Sequence, residues 1–331
     1  MRAKMKKIML SHELCDEGMS YLKSHENIKV ICHNTADIDT VMDEFKEAEG
    51  YLLRMGKLDR RCIMATERLK VIARPGVGVD TIDVQTATEY GIPVVITPGA
   101  NSLSVAEHTL TMLLALAKNL LESDKETKSG NFNIRNKSAS IEIQGKVLGI
   151  LGFGAIGREV ARLATGVGLK VIVFDPYVEE KVIREKGYLS AKTLQDLLPE
   201  CDFVTLHVPS TPENRYLIND STMNLFKEKA YLINCARGDL VDESALYKGL
   251  REGRLAGAAA DLMAMEPFDI TSPLMSLPNF IATPHMAALS RESSIRAAKM
   301  AVDGMIAVIN GKKWPHICNP DVYNHPKWKG R

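Results

Sequence analysis

Three residues suited to proton transfer and anion binding follow separate β-rich runs in the second half of the chain. Arg237 comes after AYLIN, Glu266 lies in the loop that follows LAGAAAD, and His285 stands just beyond FIATP. In an open parallel sheet, the residues that follow the strands meet at one edge, and ligands bind there. The sequence therefore predicts that a guanidinium, a carboxylate and an imidazole come together.

Each of the three residues suits one part of the reduction of a 2-oxo acid. The planar guanidinium of Arg237 can hold a carboxylate through two parallel charge-assisted bonds. The imidazole of His285 can exchange a proton near neutral pH, and Glu266 beside it would stabilise the charged ring. Taken singly, Arg237 could instead form a surface salt bridge, and His285 could be a hydrogen-bonded structural residue.

A glycine-rich turn, GFGAIG at 152–157, separates the apolar run KVLGIL from a helical stretch. The G-x-G-x-x-G spacing allows a tight turn and lets a helix N-terminus hold a pyrophosphate. Asp175 ends the next predicted strand and can accept hydrogen bonds from a ribose diol. The following PYVEE offers no arginine for a 2′-phosphate, so NAD is favoured over NADP. A glycine turn without a ligand, and Asp175 as a plain helix cap, are the alternatives.

The β-rich runs alternate with helical segments in two sets, which predicts two α/β units with parallel sheets. A chain of 331 residues also exceeds the usual size of one hydrophobic core. The first set is KKIML, IKVICH, GYLLR, LKVIAR and IPVVITP; the second is KVLGILG, LKVIVFD, DFVTLHV, AYLIN, LAGAAAD and FIATP.

Two long apolar helices are predicted on either side of the second set. SLSVAEHTLTMLLALAKNLLES has Ser104 and Glu107 at capping-box spacing, and RESSIRAAKMAVDGMIAVING ends at Asn310-Gly311, a typical helix stop. Their many large apolar residues, Leu120 and Leu121 among them, predict buried connectors. The polar stretch 122–145 resembles an extended arm, and the C-terminal NPDVYNHPKWKGR an irregular tail.

Composition excludes several classes of partner. Lys plus Arg (42) nearly cancel Asp plus Glu (41), which argues against nucleic acid and anionic membranes as partners. Six isolated cysteines without a C-x-x-C pair argue against a metal site and a disulfide framework. The basic start turns polar at Ser11 before a signal-peptide core develops, and no stretch reaches the roughly 20 apolar residues of a membrane helix. We expect a cytoplasmic protein with a small-molecule partner.

Eight segments resemble the D-isomer-specific 2-hydroxyacid dehydrogenases, especially their phosphoglycerate dehydrogenase-like branch. In chain order they are GVGVDTID, NSLSVAEHTL, GFGAIG, FDPY, HVPSTPEN, NCARGDLVDESAL, DLMAMEP and TPHMAALS, and the match as a whole runs from about Arg54 to beyond Ser290. The resemblance implies an NAD-dependent enzyme that interconverts a small D-2-hydroxy acid and its 2-oxo acid. Arg237 would bind the substrate carboxylate, His285 would be the acid/base, and Glu266 its partner.

The resemblance also implies an architecture. Two Rossmann-like or flavodoxin-like domains are expected, with an NAD-binding domain at 103–290 inserted into a discontinuous substrate domain at 1–102 plus 291–331. The catalytic cleft would lie between them. A homodimer joined through the NAD-binding domain is implied, with the polar stretch 122–145 as a candidate contact.

The glycine fingerprint, the strand ends and the resemblance together give two sets of predicted contacts. Those to substrate are Arg54, Val77, Gly78, Arg237 and His285. Those to the dinucleotide are Gly152, Gly154, Ala155, Ile156, Gly157, Asp175, His207, Val208, Pro209, Asn214, Cys235, Ala236, Arg237, Asp261, His285 and Ala288.

The substrate tail is less well defined by the sequence. Arg54, with Lys57, Arg60 and Arg61 close by, could accept a phosphate, a sulfonate or a second carboxylate. Alternatively, only Arg54 faces the cleft and the other three form a solvated helix face. Glyoxylate, hydroxypyruvate and 3-phosphohydroxypyruvate all remain candidate substrates.

Two departures from the family pattern stand out. Met263 and Met265 occupy positions where relatives often carry other residues, which would reshape the pocket wall without changing the chemistry. The sequence ends shortly after the second connector helix, so we expect no appended regulatory domain and no serine feedback through one.

Rival functions share the predicted scaffold. A formate dehydrogenase resembles this chain but has glutamine in place of the acid, so Glu266 counts against it; a phosphite dehydrogenase is not excluded. An NAD-sensing scaffold of the corepressor kind has the same fold, and fold alone does not separate it from an enzyme.

Overall fold

The computed structural model describes residues 5–137 and 140–330. The chain divides into two compact units, Met1–Asn101 with Leu289–Arg331, and Ser102–Ala288. Each described unit contains one all-parallel sheet covered by helices. The predicted fold class, two parallel-sheet α/β domains with one inserted into the other, is confirmed.

The discontinuous unit is built on short, apolar strands. Its strands are β1 (Lys6–Leu10), β2 (Ile28–Cys32), β3 (Gly50–Leu52), β4 (Val71–Ala73) and β5 (Val94–Val95). Its first helices are α1 (Asp16–Lys23), α2 (Met42–Lys46), α3 (Arg60–Met64) and α4 (Val84–Glu89). The sheet order β2-β1-β3-β4-β5 is that of flavodoxin-like folds. Because helices cover both faces, β3 and β4 are buried throughout.

The continuous unit has a larger sheet. Its helices are α5 (Ser102–Ala117), α6 (Leu120–Lys128), α7 (Ala155–Gly166), α8 (Glu180–Glu185), α9 (Leu194–Leu197), α10 (Asp220–Met223) and α11 (Glu243–Arg251). Its strands are β6 (Val147–Leu151), β7 (Lys170–Phe174), β8 (Leu189–Ser190), β9 (Phe203–Leu206), β10 (Ala230–Asn234), β11 (Leu255–Ala260) and β12 (Phe280–Ala282). The order β12-β11-β10-β9-β6-β7-β8 is the doubly wound Rossmann order with one added strand. The strands that follow β6 in the chain are added first on one side of it (β7, β8) and then on the other (β9 to β12), so the strand order switches between β6 and β9.

The last long helix, α12 (Arg291–Ile309), returns the chain to the discontinuous unit. The Ser290 side chain caps its start by accepting the N–H of Ser293. Its end at Asn310-Gly311 is as predicted, with Gly311 in the left-handed region at φ 79°. Buried Val302 and Met305 join the core of this unit, so the prediction of a buried connector is confirmed for α12.

The first predicted connector is wrong in three respects. Asn119, at φ 48°, breaks it into α5 and α6, and the helix begins at Ser102, so Ser104 is not its cap. Leu120 and Leu121 are exposed rather than buried. The stretch predicted as an extended arm contains most of α6 and a 3-10 turn at Phe132–Asn136, while its residues 138 and 139 lie outside the described part.

The C-terminal tail is more ordered than its sequence suggests. The segment just before it, 316–318, runs beside β5: Ile96 N–H donates to His316 O, and Cys318 N–H donates to Val94 O. The tail continues from there, and its first side chain, Asn319, accepts the N–H of Val94 at 2.8 Å. Trp328 is 3% exposed and its indole N–H donates to Gly91 O at 3.0 Å. The tail therefore covers an edge of the sheet that would otherwise present unpaired backbone groups.

Candidate active site

The turn after β6 requires glycine at two positions. Gly152 has φ 98°, and a Cβ there would lie 2.5 Å from the carbonyl oxygen of His207; a Cβ on Gly157 would lie 2.0 Å from the Gly152 oxygen. In contrast, a Cβ on Gly154 would meet no heavy atom within 4 Å. The space in front of the α7 N-terminus, whose first N–H groups lack helical partners, fits a pyrophosphate.

Asp175 ties the end of β7 to this turn. One carboxylate oxygen accepts the N–H of Phe153 at 2.7 Å, and the other accepts that of Tyr177 at 2.8 Å. Neither of these N–H groups belongs to a helix, and α8 begins at Glu180 with Glu179 as its N-cap, so the alternative of Asp175 as a plain helix cap is wrong. Each oxygen keeps a second lone pair, so the half-buried carboxylate can also receive ribose hydroxyls.

Changing Asp175 to alanine is expected to relax the preference for NADH over NADPH. Removing the carboxylate removes its repulsion of a 2′-phosphate, and we expect the ratio of kcat/KM values to move toward NADPH by about ten-fold, or about 1.4 kcal/mol. Steady-state rates with both cofactors measure this ratio. Asp196→Ala, which removes an exposed carboxylate from the first turn of α9, is the matched control. An unchanged ratio in Asp175→Ala would mean that this carboxylate does not contact the ribose.

The segment after β9 is fixed by its own hydrogen bonds. Asn214 donates to Pro209 O at 2.7 Å and accepts the N–H of Thr211 at 2.7 Å, which closes the loop. Val208 lies half-buried beside Gly152. The ring of His207 bonds Thr205 Oγ1 at 3.0 Å, and burial lowers its pKa to about 3, so this histidine is neutral.

Cys235, the first residue after β10, belongs to a hydrophobic core of the continuous unit, and its contact with the dinucleotide stays a prediction. Its thiol is buried 3.8 Å from the sulfur of Met112. Burial raises the thiol pKa to about 12, so Cys235 is no nucleophile at neutral pH. Ala236, the next residue, is also buried.

Arg237 is held by an asparagine that the sequence reasoning missed. Asn234, 3% exposed at the end of β10, donates to Arg237 O at 2.8 Å and accepts the N–H of Ala236 at 3.0 Å. The guanidinium of Arg237 donates to Ala236 O at 2.8 Å. The sequence could have indicated this role, because Asn234 is a polar residue at the end of the apolar run AYLIN. Through these two bonds Asn234 fixes the backbone that carries the half-buried Arg237.

The loop after β11 approaches this segment closely. A Cβ on Gly238 would lie 2.0 Å from the carbonyl carbon of Met263, so only glycine fits there. Of the two methionines that depart from the family pattern, Met263 is buried and Met265 is 55% exposed. Met265 is therefore the one whose side chain is open to a ligand or to solvent.

His285 and Glu266 are in direct contact. The imidazole Nδ1 lies 3.0 Å from the carboxylate Oε2, and the two side chains are 51% and 41% exposed. His285 adopts a left-handed backbone at φ 50°, and its N–H donates to Asp261 O at 2.8 Å. A carboxylate only accepts, so Nδ1 is the ring nitrogen that donates to Glu266, and Nε2 is the one that faces away.

Asp261 occupies the interior behind the His285 loop. It is fully buried, and its carboxylate accepts the Thr283 hydroxyl at 2.6 Å and the N–H groups of Met286 and Ala287, each at 2.9 Å. These bonds hold the loop against the end of β11. A contact between Asp261 and the dinucleotide, or between half-buried Ala288 and it, stays a prediction.

The predicted substrate contacts of the discontinuous unit follow β3 and β4. Arg54 is exposed, and its guanidinium donates to Glu13 O at 2.7 Å. Val77 is 42% exposed in the loop after β4, and Gly78 is half-buried beside it. A role for these three residues in binding substrate stays a prediction.

The neighbouring basic residues favour the solvated-face alternative. Arg60 pairs with Glu89 at 3.2 Å, and Arg61 pairs with Asp39 at 2.7 Å, all with exposed side chains. Both guanidiniums therefore have carboxylate partners on the surface of their own unit. Within the described residues, no group of three or more His, Cys, Asp or Glu side chains could hold a metal ion.

Arg237, Glu266 and His285 thus follow three adjacent parallel strands, β10, β11 and β12, at one edge of the larger sheet. Residues 110–287 match the NAD binding domain of the D-isomer specific 2-hydroxyacid dehydrogenases. The chain belongs to this family. The predicted family and the predicted cofactor, NAD, are confirmed.

Relatives of this dehydrogenase family extend over nearly the whole chain. D-3-phosphoglycerate dehydrogenase of Methanocaldococcus jannaschii is 37% identical over 95% of this chain and 60% of its own length. Glyoxylate reductase of Aeropyrum pernix is 33% identical over 96% of this chain and 97% of its own. A crystal structure of a Thermus thermophilus protein superposes with a TM-score of 0.85 at 31% identity, covering 94% and 99% of the two chains. The chain spans about 60% of the phosphoglycerate dehydrogenases that it matches.

Proposed function

We propose that this protein is an NAD-dependent dehydrogenase that interconverts a small D-2-hydroxy acid and its 2-oxo acid. The observation that carries the proposal is the 3.0 Å contact between His285 Nδ1 and Glu266 Oε2, at the sheet edge that also holds Arg237 and the glycine turn. NAD, when bound, supplies or accepts the hydride. The side chains of this edge supply the rest of the chemistry.

The orientation of the imidazole decides which ring nitrogen transfers the proton. Because Nδ1 of His285 faces Glu266, Nε2 is the ring atom that exchanges a proton with the substrate oxygen. In reduction, Nε2–H protonates the carbonyl oxygen as hydride adds to the carbon; in oxidation, neutral Nε2 removes the hydroxyl proton. Glu266 stabilises the charged ring in both directions.

Arg237 would orient the substrate. Its planar guanidinium can form two parallel hydrogen bonds to a carboxylate, which fixes the adjoining carbonyl relative to His285. The relatives bear the names phosphoglycerate dehydrogenase and glyoxylate reductase. They support a substrate of the glyoxylate, hydroxypyruvate or 3-phosphohydroxypyruvate type, with Arg54 as the candidate contact for a charged tail.

A substrate panel tests the proposal. We expect the protein to oxidise NADH with glyoxylate, hydroxypyruvate or 3-phosphohydroxypyruvate, which is measured as a loss of NADH absorbance. The kcat/KM for simple aldehydes should be lower by about 100-fold, because Arg237 then has no carboxylate to hold. Formate and phosphite with NAD test the rival dehydrogenases. NADH binding without turnover on any compound would favour a sensing scaffold and contradict the proposal.

We also propose that the protein forms a homodimer through the segment that contains α6. All residues of this helix are described, and none is buried within the chain. Leu120, Leu121 and Phe132 are exposed by 56%, 53% and 69%. Large apolar side chains clustered in this way on a surface are typical of a protein contact.

Phe132→Asp is expected to convert the dimer to a monomer, because a charge in an apolar contact costs several kcal/mol of association free energy. Sedimentation equilibrium measures the change in mass. Ile270→Asp, at a position 86% exposed elsewhere in the same unit, is the control and should remain dimeric. A Phe132→Asp protein with the mass of the wild type would place the interface elsewhere.

A cytoplasmic location belongs to the same proposal. All six cysteines are free thiols, as expected in a reducing compartment. Among the helices of the described residues, none combines the length and the apolar character required to cross a bilayer.

A further inference from the structure

α5 contains a histidine, His108, that has no role in the proposed mechanism. His108 is 18% exposed, and its Nε2 lies 3.0 Å from Thr283 Oγ1 and 3.6 Å from Asp261 Oδ1. Thr283 and Asp261 follow β12 and β11, the strands whose loops carry His285 and Glu266. A helix that packs on the sheet thus contacts the base of the proposed catalytic loop.

The direction of each hydrogen bond follows from counting protons. A carboxylate only accepts, so the single hydroxyl proton of Thr283 is donated to Asp261 at 2.6 Å. Thr283 Oγ1 must then accept from its other neighbour, and Nε2 of His108 must carry a proton. Both the charged ring and one neutral tautomer satisfy this requirement, so the chain from His108 through Thr283 to Asp261 does not depend on His108 being charged.

The loop that this chain supports is a strained one. His285 has φ 50°, a left-handed conformation that is unfavourable for a residue with a side chain and persists only when its surroundings hold it. Asp261 supplies that restraint on both sides of His285, through the Thr283 hydroxyl before it and the N–H groups of Met286 and Ala287 after it.

We propose that His108 is a positioning residue for His285. By donating to Thr283 Oγ1, it confines that hydroxyl to the rotamer that donates to Asp261, which keeps residues 283–287 in the arrangement that places His285 against Glu266. This inference rests on the proposed function, because it gives His108 its part in the same reaction. His108 touches neither Glu266 nor His285 in the described contacts, so its effect passes through Thr283.

Kinetics with three variants test this assignment. His108→Leu removes the donor, His108→Gln keeps an N–H at a similar reach, and Thr283→Val removes the intermediate hydroxyl. We expect His108→Leu to lower kcat about ten-fold, with KM for NADH changed less than about two-fold, since a small displacement of the proton donor affects the chemical step. His108→Gln should recover most of kcat. Thr111→Val is the control: it removes a hydroxyl of α5 that donates to Glu107 O within the same helix, and it should match the wild type.

The double variant separates positioning from general loss of packing. If His108 acts through Thr283, then His108→Leu adds little to Thr283→Val, whereas independent effects would add. Additive losses, or a His108→Gln protein as slow as His108→Leu, would overturn the inference.

A second readout needs no turnover. In protein labelled with ¹⁵N in its 8 histidines, we expect the His108 ring, assigned by its loss in His108→Gln, to show a protonated Nε2 whose resonance shifts in Thr283→Val. A ring with its proton on Nδ1 alone would refute the inference without any comparison of rates. The wild-type protein could show this Nε2 proton and yet turn over no 2-oxo acid. That result would contradict the proposed reaction and leave the hydrogen-bond chain in place.

Discussion

His285→Asn is expected to lower kcat for 2-oxo acid reduction about 10²- to 10⁴-fold, the range that a positioned general acid contributes. Asparagine keeps a polar side chain of similar reach but cannot give up a proton near neutral pH. Binding of NADH should change less than kcat although His285 is itself a predicted dinucleotide contact, because the glycine turn and Asp175 lie after other strands of the sheet, β6 and β7. Steady-state rates measure the first quantity, and NADH fluorescence titration the second.

Two further variants make this result interpretable. His33→Asn changes an exposed histidine of the discontinuous unit and should keep wild-type rates. Glu266→Gln should also lower kcat, because a neutral amide replaces the carboxylate that accepts from Nδ1 of His285 and holds the ring in place. Turnover by His285→Asn within about two-fold of the wild type would remove the proton relay from the proposed function.

The sequence predicts the larger sheet well because its central strands, β6, β9, β10 and β11, are buried almost throughout. Runs such as AYLIN and LAGAAAD have the apolar character of central parallel strands, and each ends at a polar residue. The strand ends therefore indicated the edge at which Arg237, Glu266 and His285 lie. β8, with two residues at the sheet edge, has no apolar run and was not predictable in this way.

Other features depend on contacts between distant segments. Trp328 is buried because the tail lies along β5, and no local pattern in NPDVYNHPKWKGR contains that information. The break at Asn119 is a single left-handed residue within a strongly helical pattern. The chain from His108 to Asp261 joins residues 153 positions apart, so periodicity could not place them together.

Arg237→Gln is expected to lower kcat/KM for 2-oxo acids about 10²- to 10³-fold. Hydrogen bonds to charged groups contribute about 1.5–3 kcal/mol each, and every 1.4 kcal/mol is a factor of ten. Glutamine cannot offer two parallel N–H groups or a charge, so the substrate carboxylate loses its anchor and the carbonyl its orientation.

The loss in Arg237→Gln should fall mainly on substrates that carry the carboxylate. For simple aldehydes, which are already poor substrates, kcat/KM should change little. The ratio of kcat/KM for 2-oxo acids to kcat/KM for aldehydes therefore identifies the contact between Arg237 and the carboxylate better than either value alone. Arg237→Lys keeps the charge without the planar fork and should recover only part of the activity. Arg251→Gln, at an exposed position at the end of α11, removes the same charge elsewhere and should match the wild type. An equal loss on aldehydes and 2-oxo acids would show instead that Arg237 supports the strand-end backbone, through its bond to Ala236, rather than the substrate.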